Sequence, residues 1–135
     1  MEERNVFLWV KAAVCTACGA FTAAFGWLGW LIAAWAACMA LDWLSGSAAA
    51  ASRGQWSSAA ARAGIWHKAG MLVVVLVSAL TDAVLGMAAA NLPVVLVWYI
   101  FTELGSIAEN AAAMGAPVPG CLVKILAEGK EKAGK

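Results

Sequence analysis

Residues 12–41 read AAVCTACGAFTAAFGWLGWLIAAWAACMAL, a run of thirty positions without a formal charge. The chain around this run has 135 residues, of which 64% are apolar, and its mean hydropathy is +0.81. A continuous helix of thirty residues is about 45 Å long, whereas the hydrocarbon core of a bilayer is about 30 Å thick. The run therefore predicts insertion into a membrane, and it is too long for one comfortable crossing.

A helical hairpin is predicted inside this run, at Gly26-Trp27-Leu28-Gly29-Trp30. Glycine tolerates backbone conformations that other residues avoid, and indole rings favour the boundary between membrane and water. With a reversal at this point, each half of the run belongs to a separate crossing. The alternative is one tilted helix over residues 12–41, which gives three crossings in the whole chain instead of four.

Charged and polar residues divide the chain into four apolar blocks, each long enough to cross a bilayer. The connector after the second block is polar with some helical potential, whereas Asn91 and Pro93 predict a tight turn after the third. We therefore expect an all-α integral membrane protein built from a helical hairpin, a polar connector and a second hairpin. It forms a single membrane domain over residues 1–120, followed by a short charged cytoplasmic tail over residues 121–135. The blocks are residues 6–25, 27–51, 69–90 and 92–114.

The basic residues fall into three groups that frame these blocks. Lysine and arginine concentrate on the cytoplasmic side of membrane proteins. With four crossings all three groups lie on one side, which predicts that both termini are cytoplasmic, whereas three crossings place the terminal groups on opposite sides. The groups are Arg4 with Lys11, then Arg53 with Arg62 and Lys68, and finally Lys124, Lys130, Lys132 and Lys135.

The remaining composition argues against several classes of function. Nine basic and eight acidic residues nearly balance, so neither nucleic acid nor an acidic substrate is implied. Cys15 and Cys18 have the spacing of a redox or zinc half-site, but they lie in an apolar helix without a second pair and are better explained as small buried side chains. His67 lies in the polar connector and is expected to be solvated. With no catalytic triad, metal cluster or phosphate-binding loop in the sequence, we expect no enzyme, no metal and no cofactor.

Small residues recur at a spacing of four in the predicted helices. In a bilayer, helices associate through close backbone approach because apolar side chains gain little by leaving lipid. Such faces suit packing within a subunit or between subunits, which predicts homo-oligomers, although an alanine-rich composition explains any single pair equally well. The positions are Ala12, Thr16, Ala20 and Ala24, then Ala33 and Ala37, Ala36 and Ala40, and Gly46 and Ala50.

Four carboxylates lie in or beside the apolar blocks, where an ionised group costs about 2.5–3.5 kcal/mol on insertion scales. For Asp42 and Asp82, packing within one subunit explains the charge as well as a functional role does. The fourth block carries a polar stripe confined to about 120° of the helix circumference. This stripe suits a neighbouring helix, a water-filled lumen or the membrane interface. Its members are Thr102, Glu103, Ser106, Glu109 and Asn110.

Depth in the membrane suggests partners for these acids. If the third and fourth helices meet at Asn91, Asp82 and Glu103 lie within about 5 Å of each other in depth, close enough to share a proton. Glu109 then lies nearer the cytoplasmic face, at the level where Lys68 begins the third helix. This placement predicts an ion pair between Lys68 and Glu109.

Five short motifs follow one another between about residues 26 and 126: Asp42-Trp43-Leu44-Ser45-Gly46, Trp56-Ser57-Ser58, Gly64 with Lys68, Glu103 with Ser106, Glu109 and Asn110, and Gly115-Ala116-Pro117-Val118-Pro119. In order and spacing they resemble the signature of a large family of phage holins that also includes clostridial toxin-secretion holins. The chain departs from that family in being richer in alanine and tryptophan, and its first block is not diagnostic.

The resemblance implies a holin of the host bacterial cytoplasmic membrane, which oligomerises and opens lesions through which an endolysin reaches the cell wall. Its partners are then the lipid bilayer, further copies of the chain and, functionally, an endolysin. The polar stripe is expected to line the pore or join helices, and Asp42, Gly46 and Asp82 to pack the membrane helices together. The alternatives are a small proton-coupled transporter or channel, with Glu103 as the coupled site, and an antiholin or toxin-export holin.

Overall fold

The computed structural model describes residues 2–135, with side chains from Glu3 onward, and every regular element in this range is a helix. Three of the helices are long and apolar enough to cross a membrane, namely α1, α2 and α3. The predicted all-α membrane fold is confirmed at this level. The chain forms two compact units, Met1–Ala33 and Ala34–Lys135. The helices are α1 (Glu2–Ser52), α2 (Ser58–Val84), α3 (Asn91–Ala113) and α4 (Gly120–Ala133).

Helix α1 is broken at Gly26, inside the first unit. Its φ of 61° and ψ of −158° lie outside the helical region, in backbone space that glycine alone enters without strain. The indole N–H of Trp30 donates to the hydroxyl of Thr22 at 2.7 Å. Residues eight apart in a continuous helix are separated by about 12 Å along the axis, so this contact requires the chain to turn back at Gly26. The predicted break is present, and a continuous helix over residues 12–41 is excluded.

The side chains of the first arm of α1 are exposed throughout residues 3–20. Cys15 and Cys18 belong to this surface, so the prediction that they are buried within the subunit is wrong. Apolar side chains on such an arm are stable when lipid or another membrane helix covers them.

Helix α2 begins at Ser58 and ends at Val84, so the predicted block at residues 69–90 is wrong at both ends. Its start is determined by Ser57, whose hydroxyl accepts a hydrogen bond from the backbone N–H of Ala60 at 3.1 Å. The polar connector is thereby reduced to residues 53–57, and most of its predicted length is helical. Consequently Lys68 lies about 15 Å inside α2 and not at its beginning.

The turn between α2 and α3 lies at residues 85–90, before the predicted position. Gly86 and Ala89 both have positive φ values, 64° and 51°, which end α2 and reverse the chain. Asn91 is already the first residue of α3. Pro93 follows in the first helical turn, where its missing N–H leaves no intrahelical hydrogen bond unmade. The expectation of a tight turn at Asn91 and Pro93 is therefore wrong, because these residues begin a helix.

Asp82 stabilises this turn from the end of α2. Its carboxylate accepts hydrogen bonds from the backbone N–H groups of Asn91 and Leu92, at 3.0 and 2.9 Å, and from the side-chain amide of Asn91 at 2.8 Å. The residue that precedes α3, Ala90, has no side chain able to do this, so Asp82 supplies the missing cap. Glu103 lies about 18 Å further along α3. The prediction that Asp82 and Glu103 share a proton is therefore wrong.

The core of the second unit is small, as expected where lipid covers most of the remaining surface. Trp35 of α1 stacks on Tyr99 of α3, with ring centroids 6.1 Å apart and ring planes 18° from parallel. Around this pair, helices α1, α2 and α3 meet through buried apolar side chains. These are Trp35, Ala49, Met71, Val75, Leu92, Leu96 and Tyr99.

Residues 121–135, predicted as a charged cytoplasmic tail, fall mainly in helix α4. The chain leaves α3 through Gly115, whose φ is 93°, and through two prolines that cannot continue a helix. Helix α4 then packs against α3, with the ammonium of Lys130 5.4 Å from the ring centre of Trp98. The C-terminal segment is thus part of the packed unit.

Candidate functional site

Three charged side chains, one from each long helix, meet inside the second unit and form what we call the charged network: Asp42, Lys68 and Glu103. The ammonium of Lys68 donates to Oδ2 of Asp42 at 2.8 Å and to Oε2 of Glu103. The Lys68 and Glu103 side chains are only 15% and 4% exposed. An ammonium has three donors and no acceptor, which matches two carboxylates well. The network therefore joins α1, α2 and α3 by paired charges where unpaired ones would be costly.

Asn110 extends the network along the contact between α3 and α1. Its side-chain N–H₂ group lies 3.2 Å from Oδ1 of Asp42 and 3.0 Å from the hydroxyl of Ser45, and donates to both. A Cβ atom added to Gly46 would lie 3.4 Å from the same nitrogen. A larger side chain at position 46 would therefore push the amide away from Asp42, which explains why the close contact predicted at Gly46 requires a small residue.

Trp43 connects α1 to α2 on the neighbouring face. Its indole N–H donates to the backbone carbonyl of Ala61 at 3.2 Å. Gly64 faces the same ring, and a Cβ atom added there would lie 3.5 Å from Cδ1 of Trp43. Sequence reasoning missed this contact, although both residues belong to motifs quoted above. The signals available in the sequence were a tryptophan beside an intramembrane aspartate and a glycine in the following segment.

The residues of the polar stripe of α3 face two different places, the charged network and the groove beside α4. Glu103 and Asn110 face the network, whereas Thr102, Ser106 and Glu109 line a groove of about 430 Å³ between α3 and α4. Helical geometry explains the division, since Asn110 is rotated by about 20° from Glu103 but Glu109 by about 120°. One stripe on a helical wheel thus serves two contacts.

The predicted ion pair between Lys68 and Glu109 is wrong. Lys68 pairs with Asp42 and Glu103, and Glu109 is exposed beside α4. The error follows from the position of α2, which begins eleven residues before the predicted block. Lys68 therefore lies deeper in the bundle, at the level of Glu103.

A cavity of about 240 Å³ lies beside the network, lined in part by Asp42, His67, Lys68 and Asn110. It has room for several water molecules, and its polar lining supplies hydrogen-bond partners for them. The network itself holds two carboxylates and one ammonium, so its formal charges leave one negative charge in excess. Such an arrangement can hold helices together in a dry bundle and is stabilised further when water reaches it.

A family model described as the bacteriophage holin family matches residues 19–131. No curated protein and no solved structure matches the chain. The matched segment contains the whole charged network, the turn capped by Asp82 and nearly all of α4. Because it covers most of the 135 residues, the chain belongs to the bacteriophage holin family, and its function is that of a phage holin, a membrane protein that forms the pores required for host cell lysis.

Proposed function

We propose that this holin crosses the host cytoplasmic membrane four times, assembles into homo-oligomers there, and releases an endolysin through the lesions that it forms. The observation that carries the proposal is the charged network, which joins three membrane helices with one negative charge in excess. The ion pairs hold the closed bundle together without water, and hydration lowers the energy of the excess charge. That combination suits a protein which accumulates without harm and later opens.

Four crossings follow from the length of α1 and its break at Gly26. The 51 residues of α1 have a summed helical rise of about 75 Å over the two arms that meet at Gly26, more than twice the thickness of the hydrocarbon core, so two crossings within α1 are favoured. Helices α2 and α3 then supply one crossing each. The turn at residues 85–90 carries no charge, whereas the connector at residues 53–57 begins with Arg53. By the positive-inside tendency, both termini and this connector are cytoplasmic before the lesion forms.

Labelling of single cysteines tests this orientation. Gln55→Cys in the connector and Ala88→Cys in the turn both place a thiol at an exposed position of a chain otherwise free of cysteine. Before lysis, a membrane-impermeant maleimide added to intact cells is expected to label position 88 and not position 55. Labelling after detergent treatment, when both positions react, is the control. External labelling at position 55 would contradict the four-crossing arrangement.

The excess negative charge favours opening of the closed subunit. One ammonium neutralises only one of the two carboxylates, and an uncompensated charge in hydrocarbon costs about 2.5–3.5 kcal/mol on insertion scales. Water entering through the neighbouring cavity lowers this cost. When subunits assemble around a lumen, the network therefore gains hydration that the dry bundle does not offer.

Glu103→Gln is expected to delay or abolish permeabilisation while leaving accumulation in the membrane at the parent level. The amide oxygen still accepts a hydrogen bond from Lys68, but the excess negative charge is gone, so the dry bundle is stabilised relative to the wetted one. Membrane fractionation and dye uptake in the same cultures measure the two steps separately.

Glu109→Gln is the matched control, because it removes the same charge from the same helix at an exposed position beside α4. Its lysis time is expected to stay close to that of the parent. If Glu103→Gln accumulates normally and also leaks on schedule, the network has no part in opening.

A further inference from the structure

Helix α4 runs back along α3, beside the membrane-spanning part of that helix. Near the cytoplasmic end, Leu126 lines the groove shared with Ser106. Further along, Gly129 lies against the ring of Phe101 and Gly134 against the indole of Trp98. Trp98 is only about 10 Å from the other end of α3. The docked α4 therefore lies at the depth of the bilayer and not beyond the end of α3.

The two faces of α4 differ sharply in polarity. At 100° per residue, Lys124, Glu128, Glu131 and Lys132, with Lys135 just beyond the helix, share an arc of about 100°. The half-buried positions Leu126, Gly129 and Ala133 lie on the side toward α3, where Lys130 also lies, over Trp98. The side chains of Lys124, Glu131 and Lys135 are 78%, 68% and 74% exposed. The charged face consists of Lys124, Glu128, Glu131, Lys132 and Lys135.

The contact with α3 is closely fitted. A Cβ atom at position 129 would overlap the Phe101 ring, and one at position 134 would lie 3.1 Å from Nε1 of Trp98. Lys130 places its ammonium near the face of the same indole, a favourable cation–π position. Glycines at the two points of closest approach show that α4 docks in one defined register.

This docked position requires two different environments. Helix α3 needs the bilayer around it, whereas five charged side chains on α4 need water at the same depth, because two exposed ion pairs cannot compensate for contact with lipid tails. An aqueous lumen supplies water along a whole helix face at bilayer depth. We infer that α4 docks on α3 as the inner layer of the assembled lesion, with its charged face lining the aqueous lumen. The inference rests on the proposed homo-oligomeric lesion and adds the surface that faces its water.

Docking is tested with the full-length chain reconstituted in vesicles of phosphatidylethanolamine and phosphatidylglycerol that contain fluorescent dextran. Gly129→Leu places a side chain where the Phe101 ring lies, so it is expected to insert normally but to lose most dextran release. Ile125→Leu is the matched control on the exposed side of α4 and is expected to release dextran as the parent does. Equal release by parent and Gly129→Leu would overturn the inference while leaving lesion formation intact. A parent chain that releases nothing would contradict the proposed lesion itself, and this inference with it.

A disulfide between Phe101→Cys and Gly129→Cys, in a chain otherwise free of cysteine, fixes α4 on α3. It therefore distinguishes an α4 that lines the lumen while docked from an α4 that must dissociate from α3 before the lesion opens. Oxidised protein is expected to release dextran at least as fast as reduced protein. Release only after addition of reductant would show that α4 leaves α3 on opening and would overturn the inference. A nitroxide at Lys132→Cys in the oxidised chain is expected to be accessible to a water-soluble relaxation agent. If the nitroxide is instead shielded from this agent, as in contact with lipid, the inference is also overturned.

Discussion

Lys68→Met is expected to reduce the level of the holin in the membrane several-fold and thereby to abolish lysis. Without the ammonium, the carboxylates of Asp42 and Glu103 lie side by side in the bundle with no cation between them. Removing one partner of a buried ion pair destabilises a protein by about 3–5 kcal/mol. That is a large share of the roughly 5–15 kcal/mol by which small domains are stable, and a loss of this size lowers abundance in cells. Quantitative immunoblotting of membrane fractions measures the effect.

Arg62→Met is the control for Lys68→Met, since it also removes one cation from α2 but at an exposed position. It is expected to accumulate nearly as the parent does. Combining Lys68→Met with Asp42→Asn and Glu103→Gln leaves no charge in the network, so accumulation should recover. If Lys68→Met and Arg62→Met accumulate equally, the ion pairs do not hold the bundle together.

The second large effect is expected for Asp82→Ala, which should open the contact between the end of α2 and the start of α3. Two backbone N–H groups and one side-chain amide lose their acceptor. The N–H of the buried Leu92 is then left unpaired, which costs about 1–3 kcal/mol, whereas the donors of the exposed Asn91 can turn to water. Asp82 as a whole residue is only 4% exposed, so water reaches the vacated position poorly. Limited proteolysis in detergent should show much faster cleavage in the turn at residues 85–90.

Thr81→Ala serves as the neighbouring control, because its hydroxyl donates only within α2, to the carbonyl of Val77 at 2.8 Å. Asp82→Asn retains one acceptor oxygen, so its rate of cleavage in the turn should lie between the rates of Asp82→Ala and the parent. An Asp82→Ala protein that resists protease as well as the Thr81→Ala protein does would show that the turn is held without this cap.

The two network variants are expected to differ in accumulation, which distinguishes a balance of charge from simple packing. Lys68→Met increases the uncompensated charge and weakens the closed bundle, whereas Glu103→Gln removes it and strengthens the bundle. A purely structural contact would weaken in both cases. Comparing the membrane level of Lys68→Met with that of Glu103→Gln therefore tests the mechanism and not only the importance of the residues.

The amino-acid sequence by itself determined that the chain is a helical membrane protein with a break at Gly26. Whether a segment can cross a membrane is decided by the hydropathy of about twenty consecutive residues, and the backbone freedom of glycine is a local property. Neither depends on distant parts of the chain. The order of motifs also identified the family, and the polar positions of α3 were visible from helical periodicity. The residues of the charged network were all singled out as intramembrane or motif residues.

Only the tertiary structure decided which of these residues meet. The pairing of Lys68 with Asp42 and Glu103 depends on where α2 begins. Because Ser57 caps the helix, α2 begins eleven residues before the predicted block. The division of the polar stripe depends on which helix packs against each edge of α3. Likewise, the docking of α4 depends on a glycine opposite the Phe101 ring, far away in the chain. Depth and packing partner are properties of the assembled bundle, because a shift of a few residues moves a charge by whole helical turns.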